Sequence, residues 1–275
     1  LVILAKLFRK KVIYDIRAGS FITAYINKNF IYRFFTSSLI KLSDIFLVES
    51  YTYKNFISRN FKKDSYYIPN FIPSNLISAY EKKLKQKTKK QKFFNLLFVG
   101  NSSEAKGILQ LIKATKILSR EYKNIRLNLV GNIEKNIYQS KDFKDFLNKK
   151  LVLSHGILSK EKIYKLMIKC SAYVYPTMHK GEGHNNSINE AAFFELPIIT
   201  TKNGFLSEAF NNDEIYFLKN YKPVKTLEIV NLIKKIINYP EESKNKTFKA
   251  KNKIIEKYTS KAVTKNLLSA YKILT

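Results

Sequence analysis

The stretch FFNLLFVGNSSEAKGILQLIKATKILSREYKNIRLNLVG, Phe93 to Gly131, decides how the chain is read. It opens on the apolar run FNLLFVG and crosses a polar turn. It then runs on as KGILQLIKATKILSREY, with apolar residues at helical spacing, and closes on a second apolar run, IRLNLVG. Near-continuous apolar strands are expected where helices cover both faces of a parallel sheet, since neither face then meets water. The alternation continues through LVLSHG, SKEKIYKLMIKC, SAYVYPT, NNSINEAAFFE, LPIITT and EIYFLK. Six such strands with helical crossovers predict a complete, doubly wound, Rossmann-like α/β domain over residues 93–257. Strand ends at Gly100, Gly131, Gly156 and Pro176 with Thr177 outline one sheet edge, the edge at which open parallel sheets bind ligands.

Working outward, KKVIYDIRA, NKNFIYRFFTSSLIKL, DIFLVES, YTYKNFISRNF and SYYIPN repeat the pattern with fewer strands. They predict a partial N-terminal Rossmann-like domain over residues 1–77. Ser78 to Lys92 is Lys-rich and reads as a solvated linker. The tail is helical, with a break at Tyr258 and Thr259 that sets off 258–275 as a final helix. The chain opens on Leu1 rather than Met, inside an apolar segment, and so reads as a fragment or truncated product.

The 275 residues are 45% hydrophobic and 14% aromatic, enough for a proper core, and carry a formal charge of +29. Such a field attracts nucleic acid, anionic membranes or phosphorylated substrates, although an A/T-biased composition rich in Lys, Asn, Ile and Tyr also places much of it on solvated surface. The basic residues are scattered and no nucleic-acid module is recognisable, so no nucleic-acid partner is expected. The single cysteine, Cys170, in the apolar helix context IYKLMIKCSAYV, excludes an intramolecular disulfide and a cysteine-rich zinc site. No apolar run approaches the ~20 residues needed to span a bilayer, and a cytoplasmic location is expected.

HKGEGHNNSINEAAFFELPIIT, His179 to Thr200, sets Glu182 and Glu190 around a polar run at the start of a helix that Asn185 or Asn186 can cap. A helix N-terminus at a strand's carboxyl end suits a phosphate, because its free N–H groups and dipole point at the ligand. Glu190 can then accept from a ribose hydroxyl pair and Glu182 from hydroxyls of a sugar beyond the diphosphate. Taken singly, Glu190 also fits as a complement to the helix dipole and Glu182 as a loop charge.

The segment GEGHNNSINEAAFFELPIITT resembles the E-x7-E signature of retaining glycosyltransferases of the GT-B fold, family 4. FVGNSSEAKGILQLIKAT, LNLVGN, SHGILSKEKIYKLMIKCSAYVYPT, IPNFIP and the final helices resemble further pieces of that family in the same order. The resemblance implies a retaining transfer of a sugar from a nucleotide-sugar donor to a glycan or lipid-linked acceptor in surface polysaccharide biosynthesis. In it Glu182 contacts the donor sugar and Lys106 neutralises the leaving phosphate as the catalytic pair. Gly100, Asn101, Gly183 and His184 line the donor site, backbone donors at Asn186, Ser187 and Ile188 take the diphosphate, and Glu190 holds the ribose. No metal or cofactor is implied, and the basic surface suits an anionic membrane on its inner, cytoplasmic face. Asn101 stands where the family usually has arginine, and the first domain lacks the family's glycine-rich half. The alternative is a non-catalytic nucleotide-binding remnant or partner subunit. His155 and His179 also lie near the expected crevice, while Asp15 and Arg17 fit either a cleft position or a structural ion pair.

Overall fold

The computed structural model describes residues 1–85, 92–219 and 222–272. The first lobe holds helix α1 (Val2–Leu7), strand β1 (Ile13–Ile16), helices α2 (Phe21–Asn27) and α3 (Phe30–Leu42), strand β2 (Ile45–Val48), helix α4 (Tyr51–Phe61) and strand β3 (Ser65–Tyr67). Helix α5 (Ser74–Lys85) leads to the second lobe. There β4 (Phe94–Val99), α6 (Ile108–Glu121), β5 (Ile125–Val130), α7 (Lys135–Gln139), α8 (Lys141–Asn148), β6 (Val152–Ser154) and α9 (Lys160–Ile168) form one half. The other half is β7 (Ala172–Tyr175), α10 (Asn186–Phe193), β8 (Ile198–Thr201), α11 (Leu206–Ala209), β9 (Tyr216–Leu218), α12 (Thr226–Asn238) and α13 (Pro240–Lys257), before the last helix, α14 (Ser260–Tyr271).

Every strand pairing is parallel. The first sheet runs β1-β2-β3 and the second β6-β5-β4-β7-β8-β9. In the second sheet the chain steps outward from β4 to β6 and then restarts at β7 on the other side of β4. The crevice between the carboxyl ends of β4 and β7 is therefore the topological switch point. Leu96, Leu97 and Phe98 of β4 are fully buried because α6 and the other helices close both faces, which explains their unbroken apolar run. Each contributes on the order of 2 kcal/mol of burial.

The Lys-rich segment read as a linker is corrected: it is helical to Lys85, and its residues 86–91 lie outside the described part. Leu76 and Tyr80, four apart, share the buried face of α5, and Tyr80 packs edge-on against Tyr164 and Phe194 of the second lobe. Lysines on a helix leave its opposite stripe free to bury, and that small apolar signal is easily outweighed in a compositional reading. Cys170 is buried just beyond the end of α9 rather than within it.

The break at Tyr258 and Thr259 is where the chain crosses back. Ile72 donates its N–H to Tyr258 O and accepts from Ser260 N–H, both at 2.9 Å, and Thr259 caps α14. That helix buries Val263 and Ala270 against Ile45, Leu47 and Ile68 of the first sheet. Among the described residues no helix is long and apolar enough to cross a membrane.

Candidate active site

Lys106 ends a 3-10 turn, Glu104–Lys106, just after β4, and Gly107 follows with φ +70°. A Cβ at Gly107 would lie 2.2 Å from Pro176 O, so only glycine lets this turn close onto the end of β7. Lys106 Nζ thereby reaches Glu182 Oε2 at 2.6 Å, with both side chains mostly removed from solvent. Thr177 Oγ1 donates to the same oxygen at 2.7 Å, while Tyr175 OH and Asn185 Nδ2 reach Oε1 at 3.5 and 3.4 Å. The Lys106 ammonium also sits 5.4 Å from the centre of the Tyr175 ring. Burial, then the Glu182 charge, pushes the Tyr175 hydroxyl far above its ordinary value, so it donates rather than ionises.

Asn185 is the N-cap of α10: its side chain accepts from Ser187 N–H at 2.9 Å. Ser187 Oγ is tied to Asn185 Oδ1 and Tyr173 OH, each at 2.6 Å. The helix N-terminus therefore stands beside the Lys106–Glu182 pair with Asn186 exposed and Ile188 packed in the core, so Ile188 offers only its backbone. Glu190, one turn on, is buried and forms the second carboxylate position. Its Oε1 accepts from Lys160 Nζ and, at 3.3 Å, from Tyr164 OH, while its Oε2 has no partner among the described residues.

Gly100 and Asn101 lie in the turn before Lys106, with Asn101 exposed. Gly183 lies in the Glu182 loop against Glu49 of the first lobe. His184 departs from its expected place: its ring is buried edge-on to Tyr258, 4.9 Å between centres, with the Asn189 side chain as its polar neighbour. Burial holds this imidazole down at about 4, opposed by the neighbouring Asn189 side chain. His179 is exposed at the loop's start. His155 bonds Asn128 Oδ1 at 3.0 Å, and burial lowers its pKa. Arg17 pairs with Asp15 at 2.7 Å and also donates to Ile68 O, so the ion pair is formed.

Lys160 and Tyr164 escaped the sequence reading, and Thr177, which marks a strand end there, bonds Glu182 directly. Lys160 and Tyr164 are four apart on α9, facing Glu190 from a different βα unit, and nothing in one sequence announces that meeting. Among the described residues no group of three or more His, Cys, Asp or Glu gathers as a metal site.

Two Rossmann-like lobes, a crevice at the carboxyl ends of the second sheet and a tail helix returning to the first lobe define a GT-B fold. The chain belongs to the family described as glycosyl transferases group 1, whose model matches residues 79–253. It is 28% identical over 240 residues to the capsular polysaccharide biosynthesis glycosyltransferase CapM of Staphylococcus aureus, covering 82% of this chain and 60% of that protein. The chain thus spans less than two thirds of this curated relative. Among solved structures it is similar to Anabaena HepE in complex with UDP and glucose, with TM-score 0.72, 18% identity, and 99% of this chain against 73% of that one. It is also similar to the pneumococcal O-GlcNAc transferase GtfA in complex with UDP and GlcNAc, with TM-score 0.74, 14% identity, and coverage of 96% and 53%.

Proposed function

We propose that this chain is the donor-binding part of a retaining glycosyltransferase that moves a sugar from a nucleotide-sugar to a glycan or lipid-linked acceptor in surface polysaccharide biosynthesis. The observation that carries this is the Lys106–Glu182 pair, 2.6 Å apart, beside the capped N-terminus of α10 at the switch point of the second sheet. Lys106 and Glu182 neutralise each other in this pair. A diphosphate seated on the N–H groups of Asn186 and Ile188, and on that of Ser187 in place of Asn185 Oδ1, draws Lys106 toward the phosphates, and Glu182 is left facing the sugar. A cation preset at the leaving phosphate contributes about 3 kcal/mol to such a step. Gly100, Asn101 and Gly183 bring backbone close to the donor, and His184 takes part through its main chain. Glu190, with one unpartnered buried oxygen, accepts from the ribose hydroxyls. No metal or cofactor enters this reading. The relatives supply the first ligand to try, since HepE and GtfA were each seen with UDP.

Calorimetric titration with UDP, GDP, ADP and CMP tests it. One nucleotide should bind selectively, and Glu190→Ala should weaken that binding at least tenfold. Equal or absent binding of all four would overturn the donor site and leave the partner-subunit reading.

The reading extends to an anionic membrane surface. Leu4, Leu7 and Phe8 of the first helix and its following turn, and Phe30, Phe34 and Phe35 of α3, are large, apolar and exposed. Arg9, Lys10, Lys11, Lys28 and Arg33 lie exposed among them, and each basic residue near an anionic leaflet contributes ~1 kcal/mol before screening. Flotation with phosphatidylglycerol vesicles should carry the protein at low salt and release it at high salt. Flotation indifferent to both charge and salt would remove the membrane from the proposal.

A further inference from the structure

The loop that carries Glu182 belongs to the second lobe, yet each strand of the first sheet ends against it. Beyond β1, Gly19 touches the loop backbone to backbone: a Cβ there would lie 2.4 Å from Gly181 O and 2.7 Å from Gly183 N. At the end of β2, Glu49 is buried with its carboxyl pressed on Gly183, whose absent Cβ would meet the two oxygens at 3.1 and 3.3 Å. Beyond β3, Asn70 donates its side-chain amide to His184 O and accepts at its own carbonyl from Asn189 Nδ2 at 3.1 Å, so it also reaches the first turn of α10.

We propose that Glu49 and Asn70 are positioning residues of the first lobe. Glu49 bears on the Gly183–His184 peptide from one side and Asn70 holds the His184 carbonyl from the other, which fixes Glu182 in the geometry that meets Lys106. The proposal rests on the donor-site reading only for why the placement of Glu182 matters.

The chemistry of Glu49 suits the task. Its Oε1 has no partner among the described residues, and burial pushes its carboxyl up to about 7, against the opposing pull of a hydrogen bond from the His184 N–H and the charge of Arg17. Asp15 adds to the rise, and Tyr53 is the further titratable group that feels its charge. Near neutral pH the group thus sits against the loop backbone partly uncharged, which a fully ionised carboxylate in that place does at greater cost. Its place in the molecule is the contact between lobes.

Hydrogen–deuterium exchange of the full chain without nucleotide, at pH 6, is the test. Asn70→Ala and Glu49→Ala should speed exchange in the 181–186 segment at least tenfold, with peptides of β4, β5 and β7 at wild-type rates. Glu49→Gln, which keeps size and an acceptor oxygen, should restore slow exchange. If Glu49→Ala does not fold, Asn70→Ala decides, because Asn70 is only half-buried. Wild-type rates in the 181–186 segment of Asn70→Ala would overturn the proposal, as would Glu49→Gln exchanging as fast as Glu49→Ala. The readout needs no ligand, so a failure of nucleotide binding would sink the donor reading and leave this result standing. Where UDP binds, its affinity should fall in Asn70→Ala and Glu49→Ala and return in Glu49→Gln.

Discussion

The two lobes share one building pattern and differ in how completely they close it. In the second, a six-stranded sheet is covered on both faces, and its core is continuous from α5 to α13. In the first, three strands carry two small separate clusters, and α1 buries none of its residues. The same alternation of strand and helix therefore gives a self-supporting core in one place and, in the other, a scaffold that leans on its neighbour. The first lobe's dependence is visible in the crossing contacts: Glu208 of α11 accepts from the N–H groups of Tyr51 and Thr52 at the start of α4, and α14 closes the first sheet from the chain's far end.

The largest effect that would sharpen this contrast is core truncation. Leu97→Ala, in the central strand between β5 and β7, should cost about 3–5 kcal/mol in urea unfolding, because helices on both faces prevent the cavity from collapsing. Leu47→Ala, in the small cluster under α14, should cost about 2 kcal/mol, since a thin layer can settle into the space. Equal losses would break the comparison.

Next in size is the pH dependence of the contact between lobes. Glu49 is raised from 4.5 to about 7, so the folded state binds its proton more tightly. That contribution is full below about pH 4.5, falls as pH rises toward 7 and is flat above. His184 is lowered from 6.5 to about 4, so its contribution is full above pH 6.5 and is lost on acidification toward 4. The two oppose each other between about pH 4.5 and 6.5. Glu49→Gln should remove one slope and expose the other: stability should fall by about 1–2 kcal/mol from pH 6.5 to 4.5 in the variant, more steeply than in the wild type. Parallel urea midpoints across that range in the two proteins would show that Glu49 does not feel the contact, and a flat profile in the variant that His184 does not.

The smallest expected effect lies wholly in the second lobe. Lys160 is mostly exposed where it meets Glu190, so Lys160→Ala should change nucleotide affinity by a few-fold, about 0.5–1 kcal/mol by calorimetry. A loss of a hundredfold would make Lys160 a direct ligand contact and move it to the centre of the site.

Much of the second lobe was legible because its signals are local. The runs at Phe94–Val99, Ile125–Val130 and Ala172–Tyr175 are strands where the apolar pattern puts them, and Asn185 caps α10 through an interaction that spans two residues. The segment Ser78 to Lys92 reads as solvated from its lysines, whereas Tyr80 within it is buried on Tyr164 and Phe194, far along the chain. His184 reads as a substrate contact from its place two residues after Glu182, yet the fold turns its ring to Tyr258.

By itself, the sequence determined the kind of layers, the six strands of the second sheet, the helix start at Asn185 and the two carboxylates at Glu182 and Glu190, since each depends on residues a few positions apart. Only the tertiary structure decided what those carboxylates touch. Lys106 reaches Glu182 across 76 positions, Lys160 reaches Glu190 across 30, and Asn70 reaches His184 across 114. Such pairs are set by the order in which parallel strands line up, and that order comes from packing whole elements, a sum over many weak contacts that no single stretch of residues contains.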